Sequence, residues 1–175
     1  MITSEWTKGA NELANEIISK GISEDLMWFT QARCDDIIKH QDIPPKLRES
    51  GLRWVLLGVE NSKQSTLETF RKNITPEDAK NAVKLLKKND IFAQVMFVLG
   101  ELKDTADSIE EARKFINSEL DPDFVIFAIL TPFPGTELFD DAKKNMWIED
   151  PNWADYDMVH AIMPTETLSR KEGQE

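Results

Sequence analysis

Four apolar runs in this sequence each end in residues that could touch a ligand. Arg33 comes after Leu26 to Phe29. A guanidinium there can hold a ligand carboxylate bidentately, or it can pair with Asp35, Asp36 or Glu60. Glu60, Asn61 and Ser62 come at the end of the run Trp54 to Val59. A carboxylate in that position can accept hydrogen bonds from sugar hydroxyls or a ligand ammonium. It can also cap the helix that follows, but Ser62 suits that role better, so ligand contact is favoured for Glu60. Gly58, and Gly100 beside Glu101, would let backbone approach a ligand closely or simply turn the chain. The fourth run, Phe124 to Leu130, leads into Thr131-Pro132-Phe133-Pro134-Gly135-Thr136. Prolines at alternate positions stiffen this exit, either as a connector or as a rim whose free carbonyls face a flat ring.

Other chemistries are disfavoured. Cys34 is the lone cysteine of the sequence, so no intrachain disulfide can form and no iron–sulfur cluster can be held by this sequence alone. No histidine is placed to activate it, and a buried or idle thiol is expected. His40 and His160 lack partners at metal-ligand spacing, so no metal site is expected. No glycine-rich nucleotide loop is present. The net charge of −11 and pI near 4.7 argue against a nucleic-acid partner. No apolar run approaches the ~18 residues of a membrane span. Met1 to Trp6 lacks the pattern of a signal peptide, and a cytoplasmic location is expected.

The elements that must position these residues follow from periodicity. Ser4 to Lys20 reads as a capped helix with Trp6, Ala10, Leu13, Ala14, Ile17 and Ile18 on one face and Gly21 as its stop. Strands are expected at Leu26 to Phe29, Trp54 to Val59, Phe92 to Leu99 and Phe124 to Leu130. Helices are expected at Asp36 to Lys39, Lys46 to Ser50, Ser62 to Lys72, after Thr75-Pro76-Glu77-Asp78, after Thr105, and from Thr136 to Asn145. The strand starts recur at roughly thirty residues, the length of a βαβ unit. Such alternation predicts an α/β fold with a parallel sheet and right-handed crossovers. Chemistry in such folds gathers at the carboxyl ends of strands. Residues 1–148 form this part, and 149–175 an irregular extension.

These strand ends, in this order, resemble the radical S-adenosylmethionine superfamily. The carrying segments are Leu47 to Ser62, Phe97-Val98-Leu99-Gly100-Glu101, and the Thr131 to Thr136 turn. They look like the middle and late strands of that family's partial (β/α)6 barrel. The stretch Tyr156 to Thr167 is similar to the anaerobic magnesium-protoporphyrin IX monomethyl ester cyclase group and its cobalamin-associated relatives.

The resemblance implies a partial (β/α) barrel of about four parallel strands with outer helices, truncated from the family's TIM-like barrel. It implies that Arg33 meets the methionyl carboxylate of S-adenosylmethionine. Glu60, with Gln31, Asn61 or Ser62, would meet the ribose or amino group, and Gly100 and Thr131 would lie near the adenine. The family holds a [4Fe–4S] cluster on a CxxxCxxC loop, which this sequence lacks. The chain therefore reads as a fragment, a split-gene product or a degenerate paralogue, inactive alone. Its complete parent would cleave S-adenosylmethionine reductively, with cobalamin and a porphyrin substrate as family associates. The alternatives are a non-catalytic nucleoside-binding module partnering a cluster-bearing chain, or an unrelated α/β small-molecule domain. Open barrel edges at the first and last strands predict self-association or pairing with a cluster-bearing N-terminal chain.

Overall fold

A computed structural model describes residues 5–148 and 152–174. Ser4, expected to cap the first helix, and the side chain of Trp6 lie outside the described residues, as does the start of the expected extension. The elements run α1 (Glu5–Ser19), β1 (Trp28–Arg33), α2 (Cys34–Lys39), α3 (Ile43–Glu49), β2 (Leu52–Glu60), α4 (Gln64–Thr69) and α5 (Pro76–Lys88). They continue with β3 (Phe92–Leu99), α6 (Ala106–Phe115), β4 (Phe124–Ile129) and α7 (Glu137–Lys144). The sheet is four-stranded in the order β1-β2-β3-β4. The strands are parallel and the helices surround them, the α/β architecture that the alternation predicts.

By its internal contacts the chain divides into two compact units, Met1–Met96 with Phe115–Ile126, and Phe97–Lys114 with Phe127–Glu175. In the first unit, one sheet face is packed by helices. Leu52, Val55, Leu57, Val83, Leu86 and Val95 are fully buried there, each contributing about 1.5–3 kcal/mol by removal from water. Helix α5 starts as its sequence dictates. The Thr75 hydroxyl accepts the Asp78 N–H, and the Asp78 carboxylate accepts the Thr75 N–H, so two orphan donors are satisfied reciprocally. Gly51 joins α3 to β2 at φ +100, and a Cβ there would lie 2.5 Å from the Leu26 carbonyl oxygen, so a side chain is excluded.

Several expected boundaries are corrected. The first strand is not Leu26 to Phe29; it runs Trp28 to Arg33, with Phe29 paired to Trp54 and Arg33 to Gly58. Backbone pairing to β2 carries it through polar residues where hydropathy stops. Helix α3 takes Pro44 and Pro45 into its first turn, where missing N–H groups cost nothing. Helix α4 is Gln64 to Thr69, shorter than Ser62 to Lys72, and Ser62 does not cap it. Lys63 is the extended residue before it, and the Asn61 side-chain oxygen accepts the Lys63 N–H instead. In α1, Leu13 is exposed and Ala10 half-buried, because the stripe Thr7, Ala14 and Ile17 does the packing.

The other sheet face of the first unit is open. Phe29 is 71 % exposed and Trp54 44 % exposed. The rings of Trp54 and Phe92 meet at 5.1 Å. The continuous apolar run of β2 thus reflects one face under helices and one uncovered aromatic face.

The second unit is stitched by side-chain hydrogen bonds. Asp104 is buried; its Oδ2 accepts the N–H groups of Gly100 and Glu101, and its Oδ1 the Ser108 hydroxyl. The Asp104 carbonyl accepts both the Thr165 and Thr167 hydroxyls, and the Glu166 N–H donates to Leu102. Along β4, the Met158 carbonyl accepts the Ile129 N–H at 2.7 Å, which satisfies part of that strand's edge. Thr136 caps α7 through the Phe139 N–H. Among the described residues, no helix is long and apolar enough to cross a membrane.

Candidate functional site

At the carboxyl ends of β1 and β2, on the open face, lies a cavity of about 260 Å³. Gln31, Ala32, Arg33, Asp36, Leu56, Gly58, Glu60 and Met96 line it, and Asp36 is buried. Along β1, Phe29, Gln31 and Arg33 are exposed while Thr30 and Ala32 are half-buried, although Ala32 also borders the cavity.

Glu60 terminates β2 in a strained backbone. Its φ is +68, and the Asn61 N–H closes back on the Val59 carbonyl at 2.9 Å. This is the positive-φ γ-turn, rare in proteins, and a residue held so costs on the order of 1–3 kcal/mol. Strain of that kind clusters at functional sites. The turn folds the Glu60 side chain back over Gly58, where a Cβ would meet the Glu60 Oε1 at 2.8 Å. Glycine at 58 is what leaves room for the carboxylate. Glu60 is buried, and Lys72 Nζ donates to its Oε1 at 2.7 Å.

Arg33 is more exposed. Its Nε donates to Asp35 Oδ1 at 2.9 Å, and Lys39 holds the other Asp35 oxygen at 2.9 Å. The hydrogen bond to Asp35 raises the Arg33 pKa above its ordinary value. Burial works against the Asp35 carboxylate, but the bonds from Arg33 and Lys39 hold its pKa below the usual range. Of the two readings of Arg33, the ion pair with Asp35 is present. The guanidinium, with its side chain 57 % exposed, keeps further donors for a ligand.

Cys34 starts α2 fully buried. Burial first, then the nearby Asp35 and Glu60 carboxylates, push its thiol up to about 12. A thiol so held is neither a nucleophile nor a ready metal ligand. Among the described residues no group of three His, Cys, Asp or Glu is arranged to hold a metal ion.

The structure thus brings Gln31, Arg33 and Glu60 to one cavity. Asn61 is buried beside it and organises the start of α4, while Ser62 is half-buried. In the second unit the Gly100 N–H is taken by Asp104, and the Thr131 hydroxyl donates to the Ile129 carbonyl at 2.9 Å. Periodicity missed Lys72, Met96 and Asp104. Lys72 and Met96 carry no local signal. Asp104 had one, a carboxylate four residues after a strand-ending glycine.

No family model matches the chain. The anaerobic magnesium-protoporphyrin IX monomethyl ester cyclase of Cereibacter sphaeroides is 29 % identical over 92 % of this chain and 26 % of its own length. The enzyme of the same name from Rubrivivax gelatinosus is 30 % identical over 92 % of this chain and 28 % of its own length. The chain therefore spans about a quarter of these relatives. Among solved structures, the radical S-adenosylmethionine methyltransferase TsrM from Kitasatospora setae, with cobalamin and a [4Fe–4S] cluster bound, superposes with a TM-score of 0.69 at 17 % identity. That match covers 95 % of this chain and 34 % of TsrM. The chain is thus a homologue of anaerobic magnesium-protoporphyrin IX monomethyl ester cyclases and of related methyltransferases, and it carries part of the barrel fold of the radical S-adenosylmethionine superfamily.

Proposed function

We propose that this chain supplies the S-adenosylmethionine-binding strand ends of a radical S-adenosylmethionine enzyme acting on a tetrapyrrole. The observation that carries this reading is the strand-end cavity, where a strained, buried Glu60 and an accessible Arg33 stand on adjacent strands. A zwitterionic sugar nucleoside needs a cation for its carboxylate, acceptors for its hydroxyls or ammonium, and an apolar wall. Arg33 supplies the first, Glu60 and Gln31 the second, and Leu56 and Met96 the third. Bound there, S-adenosylmethionine would supply a methyl or a deoxyadenosyl group. Lys72 and Asn61 would keep the Glu60 carboxylate and its turn in place.

The residues of this chain do not fit a [4Fe–4S] cluster. Such clusters take several thiolates, and Cys34 is buried and protonated. No electron-transfer step is assigned to this chain. A segment bearing the cluster would have to come from outside this sequence and would close on the aromatic face of Phe29 and Trp54. A non-catalytic nucleoside-binding module is the second reading, favoured by that lone, unreactive thiol.

Calorimetry on the chain tests the assignment. S-adenosylmethionine should bind weakly, and Arg33→Ala and Glu60→Gln should each weaken it by about ten-fold or more, the usual cost of a lost charged hydrogen bond. Unchanged affinity in both variants refutes it. Anaerobic addition of iron and sulfide should give no stable cluster absorbance and no 5′-deoxyadenosine. Stoichiometric cluster with turnover would overturn the view that the cluster is held elsewhere.

A further inference from the structure

The second unit contains a cavity of about 300 Å³ that the strand-end site does not use. Its walls are Phe139 and Lys143 of α7, Met146 and Ile148 beyond that helix, and Trp153 and Tyr156 of the following turn. Phe139 and Lys143 are four residues apart, so they stand on one helix face. Thr136 fixes the start of that helix through the Phe139 N–H, and the Asn152 side-chain oxygen fixes the facing turn through the Ala154 N–H.

The aromatic walls are arranged to hold a flat ring. Phe139 and Trp153 stack at 6.4 Å with 30° between their planes, and Trp153 meets Tyr156 at 4.8 Å. Two polar groups are set into this apolar lining. Lys143 Nζ lies 5.5 Å from the centre of the Phe139 ring, and it makes no salt bridge to a described residue. The Tyr156 hydroxyl is buried with no hydrogen-bond partner. An unpaired buried hydroxyl is costly and rare in folded proteins. Here it sits on a residue that lines a cavity, and Lys143 lines the same cavity. One acceptor-bearing ligand would satisfy the hydroxyl and the ammonium together, and ring stacking would supply the apolar part of its affinity.

We propose that this cavity binds a small planar aromatic carboxylate, its ring laid against the packed cluster of Phe139, Trp153 and Tyr156 and its carboxylate on Lys143 and the Tyr156 hydroxyl. A cationic ligand is disfavoured because Lys143 already occupies the electron-rich ring face that a cation would seek. The strand-end cavity plays no part in this site.

The test uses the full chain and 2-naphthoate as probe. Calorimetry should show saturable one-to-one binding. The uncharged 2-naphthylmethanol and the cationic 2-naphthylmethylammonium should bind about ten-fold more weakly or worse, as expected for loss of a charge-assisted contact. Trp153→Ala should abolish binding of all three. Lys143→Met keeps the apolar stem on an exposed helix and should leave the fold intact while erasing the preference for the anion. Tyr156→Phe should weaken 2-naphthoate several-fold and raise thermal stability slightly, because the buried hydroxyl is gone. Absence of saturable 2-naphthoate binding overturns the proposal. So does equal binding of the anion and the neutral compound, or a preference for the anion that survives Lys143→Met.

Discussion

The first unit buries Leu47, Leu52, Val55, Leu57, Leu67, Val83, Leu86, Ile91 and Val95. The second, among its described residues, buries Phe97, Ile162 and Met163 with the alanines 112, 128, 142 and 161. One is held by large side chains packed between a sheet and its helices. The other is held by Asp104, Thr165, Thr167 and Asp157 bonding to nearby backbone. The contrast teaches what each region can do. Dispersion and hydrophobic burial fix strand ends firmly enough to keep a strained residue such as Glu60 in place. Hydrogen bonds of about 0.5–1.5 kcal/mol net each fix loops around a cavity and allow them to open at lower cost. Amide exchange should therefore be slowest at Val55, Leu57 and Val95 and faster throughout Tyr156 to Thr167.

The largest expected effect breaks the first unit. Leu86 is fully buried at the C-terminal end of the α5 stripe. Leu86→Ala should cost about 2–5 kcal/mol, from lost transfer and the cavity left behind. Urea unfolding followed by far-ultraviolet circular dichroism measures it. A loss below about 1 kcal/mol would mean that this core collapses around the gap.

Next comes the second unit's hub. Asp104→Ala strands the N–H groups of Gly100 and Glu101, while the Ser108 hydroxyl keeps the Thr105 carbonyl as its acceptor. Leaving buried donors unpaired costs about 1–3 kcal/mol. Exchange at Gly100 and Glu101 should accelerate, while exchange at Leu57 and Val95 should not. Equal acceleration everywhere would erase the distinction between the units. Thr165→Val with Thr167→Val, which removes two hydroxyl donors from the Asp104 carbonyl, should cost about 1 kcal/mol per bond or less.

What could be read from the sequence divides along the same line. Thr75-Pro76-Glu77-Asp78, Thr136 and Gly21 announced helix ends because capping is local, and the structure has all three in those roles. The apolar runs placed β3 and β4 to within a residue. Gln31 and Arg33 came out as residues beyond the first strand, because hydropathy ends at Phe29 while backbone pairing to β2 continues to Arg33. The grip of Lys72 on Glu60 spans twelve residues and one γ-turn, and no periodicity encodes it. Tyr156 to Thr167 was visible only as a resemblance, because its order comes from bonds to Ile129, Leu102 and Asp104 and not from its own pattern.

The smallest effect sharpens the comparison through pH. In the second unit, Asp157 Oδ1 accepts the N–H groups of His160 and Val159, and its Oδ2 meets His160 Nδ1 at 2.8 Å. The His160 N–H bond first, then that of Val159, draws the carboxyl down to about 2. A pKa lower in the folded chain than in the unfolded one means that the unfolded state binds the proton more readily. The contribution to stability is therefore complete above the ordinary carboxylate value of about 3.9 and is lost as pH falls through about 2. In the first unit the Arg48 hydrogen bond likewise holds the Asp90 carboxyl below the usual range, but Leu52 to Val59 takes its order from burial, so acid near pH 2 should loosen Tyr156 to His160 before it disturbs Leu52 to Val59. Proton–nitrogen correlation spectra recorded from about one unit above to about two and a half units below the ordinary value should show the Val159 and His160 amides moving together near pH 2. In Asp157→Asn that transition should vanish and both amides should exchange faster at neutral pH. Amides that titrate near the ordinary carboxylate value would mean that the turn does not hold Asp157 in charged form, and that side-chain-to-backbone bonding is not what orders this segment.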